Sequence, residues 1–163
     1  MTNAACVAVY VPFLFISILL LFSAVQREHK QAVVKQYILF CALLIVWLIL
    51  EIAYFMVGSA WWMRFLLDIK LPIVALMPYA TFILISNFYG ITESYPKYMP
   101  YVLLIIPLIT LLLALTTTNH TLLRGHFQVL QITPVHQLNT AAGPWYYVHA
   151  IYGVGLNLLN AVI

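Results

Sequence analysis

Charge is what this sequence has least of: four acidic and seven basic side chains, 7% of 163 residues. So few charges cannot cover the outside of a water-soluble domain. With 65% of the residues hydrophobic, the outside must itself be apolar, which means lipid. The same scarcity excludes a nucleic-acid surface, because a formal net charge of +3 scattered along the chain makes no basic patch. Cysteine is rarer still. Cys6 and Cys41 sit inside apolar runs, near opposite ends of their predicted helices, which suits packing rather than a disulfide framework. There is no Gly-x-Ser-x-Gly turn, and Ser17, Ser23, Ser59 and Ser86 have no base beside them, so nucleophilic catalysis lacks its residues. Of the five histidines, His120, His126 and His136 have no zinc-like spacing and no cysteine partner, so no metal and no cofactor are expected.

Long apolar runs are what the sequence does have. A helix needs about 20 residues to cross the hydrocarbon, and the runs predict spans at residues 5–25, 37–57, 65–89, 100–115 and 145–163, with a long loop at 116–144. The expected fold is an all-α integral membrane protein, a bundle of about five transmembrane helices forming one membrane-embedded domain over residues 1–163. The first run lacks the basic start and small-residue cleavage site of a signal peptide, so it is read as a spanning helix. "GSAWWMR" puts paired tryptophans at the headgroup level. "GITESYPKYMP" is a turn punctuated by Gly90, Pro96 and Pro100. In the long loop, "HFQVLQIT" alternates apolar and polar side chains at the period of a strand, and "HQLNTA" offers a return. A short β-hairpin on the outer surface and an irregular loop both fit. The apolar ending "GVGLNLLNAVI", with no basic stop, leads us to expect that the chain continues beyond Ile163.

Lys and Arg set the orientation. Arg27, Lys30, Lys35 and Lys97 fall in the loops after the first and third helices, and Arg64, Lys70 and Arg124 on the opposite side, over more than twice the length. The denser set is assigned to the cytoplasm, which places the amino terminus and the long loop outside.

Ionisable groups in a spanning bundle cost roughly 2.5–3.5 kcal/mol each on insertion scales, so each needs a partner or an aqueous cavity. Glu51 lies late in helix two. Arg64 and Asp68 are four apart, on one face of helix three, with Lys70 turned away. Asn119, His120, Arg124, Trp145 and His149 are expected at the same outer level. Two readings follow. In one, these eight residues line a ligand-binding polar pocket open to the outside. In the other they form a self-satisfied network, Glu51 with Arg64 or Lys70 and His149 with Asn119. His149, Gly153, Asn157 and Asn160 recur at helical spacing as a small and polar stripe suited to helix packing.

"LTTTNHTLLRGHF", followed by "GPWYYVHAIYGVGLNLL", resembles the seven-helix membrane region at the amino terminus of certain bacterial sensor histidine kinases. The positions that carry the resemblance are Thr118, Asn119, His120, Gly143, Trp145, Tyr146, His149 and Tyr152, with Glu51 late in helix two and the prolines Pro72 and Pro78 of helix three. The resemblance implies a sensory input domain in a bacterial plasma membrane, passing an extracellular or membrane signal to a cytoplasmic output. It also implies homodimerisation through the parent kinase, and as contacts the lipid bilayer and a small ligand or membrane-protein partner. Neither a phosphoacceptor-histidine helix nor a Gly-rich ATP lid is present in these 163 residues, so no catalytic residues are expected in the chain itself. Two other classes stay open: a transporter or channel subunit, for which Pro72, Pro78 and Pro107 permit broken helices, and a ligand-free membrane assembly protein.

Overall fold

The computed structural model describes residues 3–26, 32–93, 95–132 and 135–163. Arg27 and Lys30, two of the basic residues that set the expected orientation, lie outside the described residues. Among the described residues, five α-helices, α1 (Asn3–Val25), α2 (Ala32–Met56), α3 (Ala60–Phe88), α4 (Met99–Leu115) and α5 (Pro144–Val162), carry one antiparallel pair of strands, β1 (Arg124–Ile132) and β2 (Val135–Ala142), between the last two helices. This is an all-α membrane bundle with a hairpin on one end. Helices α1, α2 and α3, of 23, 25 and 29 residues, are long and apolar enough to cross a membrane; α4 is a shorter apolar helix of 17. Phe13, Phe15 and Phe22 of α1 are each more than half exposed, a distribution that lipid accounts for and water does not.

Two helix starts differ by five residues from the sequence reading. Helix α2 begins at Ala32, five residues before the expected start, because the polar residues around Lys35 continue the helix out of the hydrocarbon. Helix α3 begins at Ala60, so Trp61 and Trp62 belong to its first turn rather than to a connection. There Trp61 stacks on Phe65 with ring centroids 5.8 Å apart, one helical turn away, and both tryptophans stay about half exposed, as suits the headgroup region.

Helix α3 is the centre. It packs against α2, α4 and α5, whereas α1 packs chiefly on α2, where Tyr10 stacks on Phe55 at 5.9 Å. Eleven α3 residues are buried, including the charged Asp68 and Lys70, and only Ser17 and Ala24 of α1 are. Helix α3 ends at Phe88 and the chain turns through Gly90 at φ +68°, a left-handed conformation that costs glycine nothing. Pro100 and Pro144 start α4 and α5, where the missing N–H has no intrahelical partner to lose.

Prolines inside helices free carbonyls that a bilayer cannot hydrate. Pro107 removes the N–H that would bond the Leu103 carbonyl, and the Tyr152 hydroxyl of α5 donates to that same oxygen at 3.0 Å. We therefore expect Tyr152→Phe to destabilise the bundle by about 1–2 kcal/mol. Adding Pro107→Ala should recover most of that loss by restoring the helical donor. Thermal unfolding in detergent of the two single variants and the double variant checks this, and equal losses from Tyr152→Phe with and without Pro107 would contradict it.

The hairpin pairs in register from Phe127↔Thr140 to Ile132↔Val135, with an irregularity between Arg124 and Phe127. Of the two readings of the loop, the strand pair is the one observed. His126 lies in β1 and His136 in β2.

Candidate functional site

The polar break after α4 folds back onto the bundle rather than into solvent. Thr116 continues the hydrogen bonding of α4, its N–H and its hydroxyl both donating to the Leu112 carbonyl. The chain then makes a short 3-10 turn over Thr117–Asn119. His120 closes that turn. Its Nδ1 accepts the Leu122 N–H at 3.3 Å, so in the neutral ring Nε2 carries the proton and donates to the Thr116 hydroxyl at 3.0 Å.

Leu123 comes next, and it is fully buried among Leu71 of α3, Ala114 of α4 and the partly buried Trp145 and Tyr146 of α5. It is an apolar plug at the root of the hairpin. Backbone bonds sew the root shut: the Gly143 N–H donates to Leu123 O at 3.0 Å and the Trp145 N–H to Leu122 O at 2.9 Å. A Cβ at Gly143 would overlap the backbone carbonyl oxygens of Thr121 and Leu122, so the close approach itself requires glycine.

Arg124, the residue after the plug and the first of β1, reaches into the bundle. Its Nε donates to Asp68 Oδ1 at 2.9 Å, and its guanidinium lies over the Tyr146 ring, 5.8 Å from the centroid. Asp68 is wholly buried. Its Oδ2 accepts the Thr117 hydroxyl at 2.7 Å and lies 3.7 Å from Nε of Arg64, whose Nη2 donates to the Thr117 carbonyl at 3.0 Å. Two cations and a hydroxyl thus converge on one carboxylate, which satisfies a charge that would otherwise be untenable there.

A second ion pair lies on a different face of α3. Lys70 Nζ donates to Glu51 Oε1 of α2 at 2.9 Å, with side chains only 10% and 15% exposed, and sits 4.7 Å from the centroid of the Tyr54 ring. Of the two partners open to Glu51 in the sequence, the structure has Lys70. Arg64 is engaged with Asp68 and Thr117 instead, because the four-residue spacing that puts it beside Asp68 turns it away from α2.

Trp145 Nε1 donates to the Thr110 hydroxyl of α4 at 3.0 Å. His149, one turn further, is buried, its ring 6.4 Å from that of Tyr146, and its Nδ1 has no hydrogen-bond partner among the described residues. The expected pairing of His149 with Asn119 is not made: Asn119 is exposed at the end of the 3-10 turn, its N–H donating to the Thr116 carbonyl at 2.9 Å and its Oδ1 accepting a weak 3.4 Å contact from the Thr118 hydroxyl.

The structure therefore brings Arg64, Asp68 and Arg124 into one cluster, links Trp145 and His149 to it through Tyr146, sets Glu51 with Lys70 apart, and leaves Asn119 and His120 in the turn. Thr117, Thr110 and Leu123 complete the site without having been singled out in the sequence, and Tyr146, named there only among the positions of the resemblance, joins them. Nothing in "TTTN" separates Thr117 from its neighbours except rotation about the turn. For Tyr146 the signal was present, as a ring immediately after Trp145 in an aromatic run opening a helix.

The packing stripe of α5 also needs correction. The residues that engage the bundle are His149, Tyr152, Leu156 and Asn160, the last donating Nδ2 to the Pro78 carbonyl at 3.0 Å. Asn157 is exposed and Gly153 faces open space. Spacings of three, four and four track the inward face of this helix, and Asn157 is rotated off it.

No curated protein and no solved structure matches the chain. The model of one family, described as the N-terminal 7TM region of histidine kinase, matches residues 9–163, nearly the whole sequence. The chain, with its apolar spans, thus belongs to the family of N-terminal 7TM regions of histidine kinases.

Proposed function

We propose that this domain is the sensory input of a bacterial two-component kinase, receiving an extracellular or membrane signal at its hairpin end and passing it through α3 to a cytoplasmic output. The observation that carries this reading is the bond between Arg124, at the base of the hairpin, and the buried Asp68 at the centre of the bundle. A ligand or partner that displaces the hairpin pulls on the one helix that packs against α2, α4 and α5. Such an event acts only through unequal affinity for two arrangements of the bundle, and a buried charged bond that one of them would break is a suitable element for that. Asn119, His120 and Arg124 on one side, and Trp145 and His149 on the other, frame the receiving end; Glu51 and Lys70 hold α2 to α3 beneath it. The parent kinase works as a homodimer in the plasma membrane, with the amino terminus and the hairpin outside.

Cysteine scanning tests the orientation. In intact cells a cysteine at Gln137 should react with an impermeant thiol reagent and one at Lys97 should not; the reverse pattern overturns the outer placement. In the full-length kinase, His149→Ala should alter the dose response to its stimulus while expression and insertion stay normal. An unchanged dose response moves reception away from this end.

A further inference from the structure

On the lipid side of α3 and α4, a groove of about 140 Å³ runs between residues 69–76 of α3 and 107–111 of α4, its walls aliphatic side chains and prolines, with Leu108 at its rim half exposed. We propose that one anionic phospholipid binds here, in the leaflet at the hairpin end, with an acyl chain along the groove and its phosphate against the guanidinium of Arg64. The groove is smaller than the sites of about 300–1,000 Å³ that take drug-sized ligands, which suits a stretch of a single chain.

The sign of the headgroup follows from a charge count. At the hairpin end three cations, Arg64, Lys70 and Arg124, meet two carboxylates, Glu51 and Asp68, which leaves one positive charge over. The other two acidic residues, Glu28 and Glu93, follow α1 and α3, whose last turns come together at the opposite end of the bundle. From Ser94 to Ile163 the sequence has no Asp or Glu, so the hairpin and α5 bring no carboxylate. A surplus cation in an apolar bundle draws its counterion from beyond these residues. A second copy of the chain would bring the same surplus to this face and be repelled by it.

Arg64 stands at the head of the groove. It lies about 18 Å from Leu76 along the helix axis, and its Nη2 donates to the Thr117 carbonyl, so the guanidinium spans the gap between α3 and the turn that follows α4. Its side chain is partly exposed. A guanidinium carries five N–H donors in one plane, enough to serve the Thr117 carbonyl, Asp68 and a phosphate together. Phe65 and Trp61, one and two turns from Ile69 on the same face of α3, extend the apolar wall toward the headgroups, where Trp61 and Trp62 are half exposed. The site uses the charges of the Asp68 cluster and does not depend on reception of a signal at the hairpin.

The test is photolabelling of the full-length protein in phosphatidylcholine nanodiscs with phosphatidylglycerol carrying a diazirine in its acyl chain, the labelled peptides being mapped by mass spectrometry. No stimulus is applied, so failure here and failure of reception at the hairpin are told apart. Label should concentrate on residues 69–76 and 107–111. It should exceed the label from a matched phosphatidylcholine probe about tenfold, the contact of the anionic headgroup with Arg64 being the difference. Arg64→Gln should bring the two probes level. Leu108→Trp, which fills the groove from α4, should cut labelling by both at least about tenfold. Because Leu108 faces lipid, that variant is expected to insert even where Arg64→Gln does not. Label spread equally over the lipid-facing Phe13 and Phe15 overturns the groove, and equal labelling of the parent by the two probes overturns the charge match. Soluble glycerol phosphate suppressing the label as well as unlabelled phosphatidylglycerol assigns Arg64 to a soluble anion and overturns the lipid. A crosslink from a cysteine at Leu108 to another protein segment, in the same chain or a second copy, gives the groove to protein and overturns it too.

Discussion

Asp68→Asn should destabilise the bundle by about 3–5 kcal/mol, the range measured when one member of a buried ion pair is removed. The neutral amide keeps the shape but leaves Arg64 and Arg124, with side chains 19% and 15% exposed, facing each other without the carboxylate that joins them. Because both guanidiniums retain some access to the surface and can swing outward, the lower end of the range is expected. The loss should fall selectively on the hairpin root: in amide exchange, Leu123 and Gly143 should lose protection before the interior of α3 does. Unfolding in mixed micelles gives the energy and exchange gives the location. A variant as stable as the parent, with the root still protected, would show that Leu123 and the backbone bonds hold the hairpin alone.

Lys70→Met is the second large effect, expected again at about 3–5 kcal/mol because it strands Glu51 in the bundle with a side chain 15% exposed. The revealing variant is the double one. Glu51→Gln with Lys70→Met removes both charges, and replacement of a whole buried pair by neutral groups is often close to neutral in stability. The double variant should therefore lose much less than the sum of the two singles, whereas Glu51→Gln combined with Arg64→Gln should be additive, since Arg64 bonds elsewhere. A double-mutant cycle at 25 °C in one detergent measures both couplings. Coupling of Glu51 to Arg64 and none to Lys70 would contradict the geometry.

Much of the architecture was legible because a bilayer sets a length, and apolar runs of about 20 residues announce spans whatever they pack against. The ends were less so. Hydropathy marks the edge of the hydrocarbon, but α2 starts before it, with Lys35 already helical, and α3 starts at Ala60, because a helix continues wherever its backbone bonds do. The hairpin was legible from its period-two alternation, although a polar loop could carry the same letters. In the site, the cost of a buried charge identified Arg64, Asp68, Arg124 and Glu51 by type alone. What no spacing rule supplies is the rotation of one helix against another. That rotation gives Glu51 to Lys70 rather than Arg64, buries Leu123 while Leu122 stays exposed, and turns Asn157 outward. His120 illustrates the converse: a histidine in a suggestive motif whose two nitrogens are used by its own turn.

The most direct measurement is autophosphorylation of the full-length kinase in membrane vesicles exposing the hairpin, with and without an antibody fragment raised against residues 124–142. If the hairpin is coupled to α3 through Arg124 and Asp68, the fragment changes the rate in the parent protein. The change should disappear in Arg124→Gln, although that variant binds the fragment equally well. An unchanged rate in the parent, or an equal response in parent and variant, would contradict the coupling.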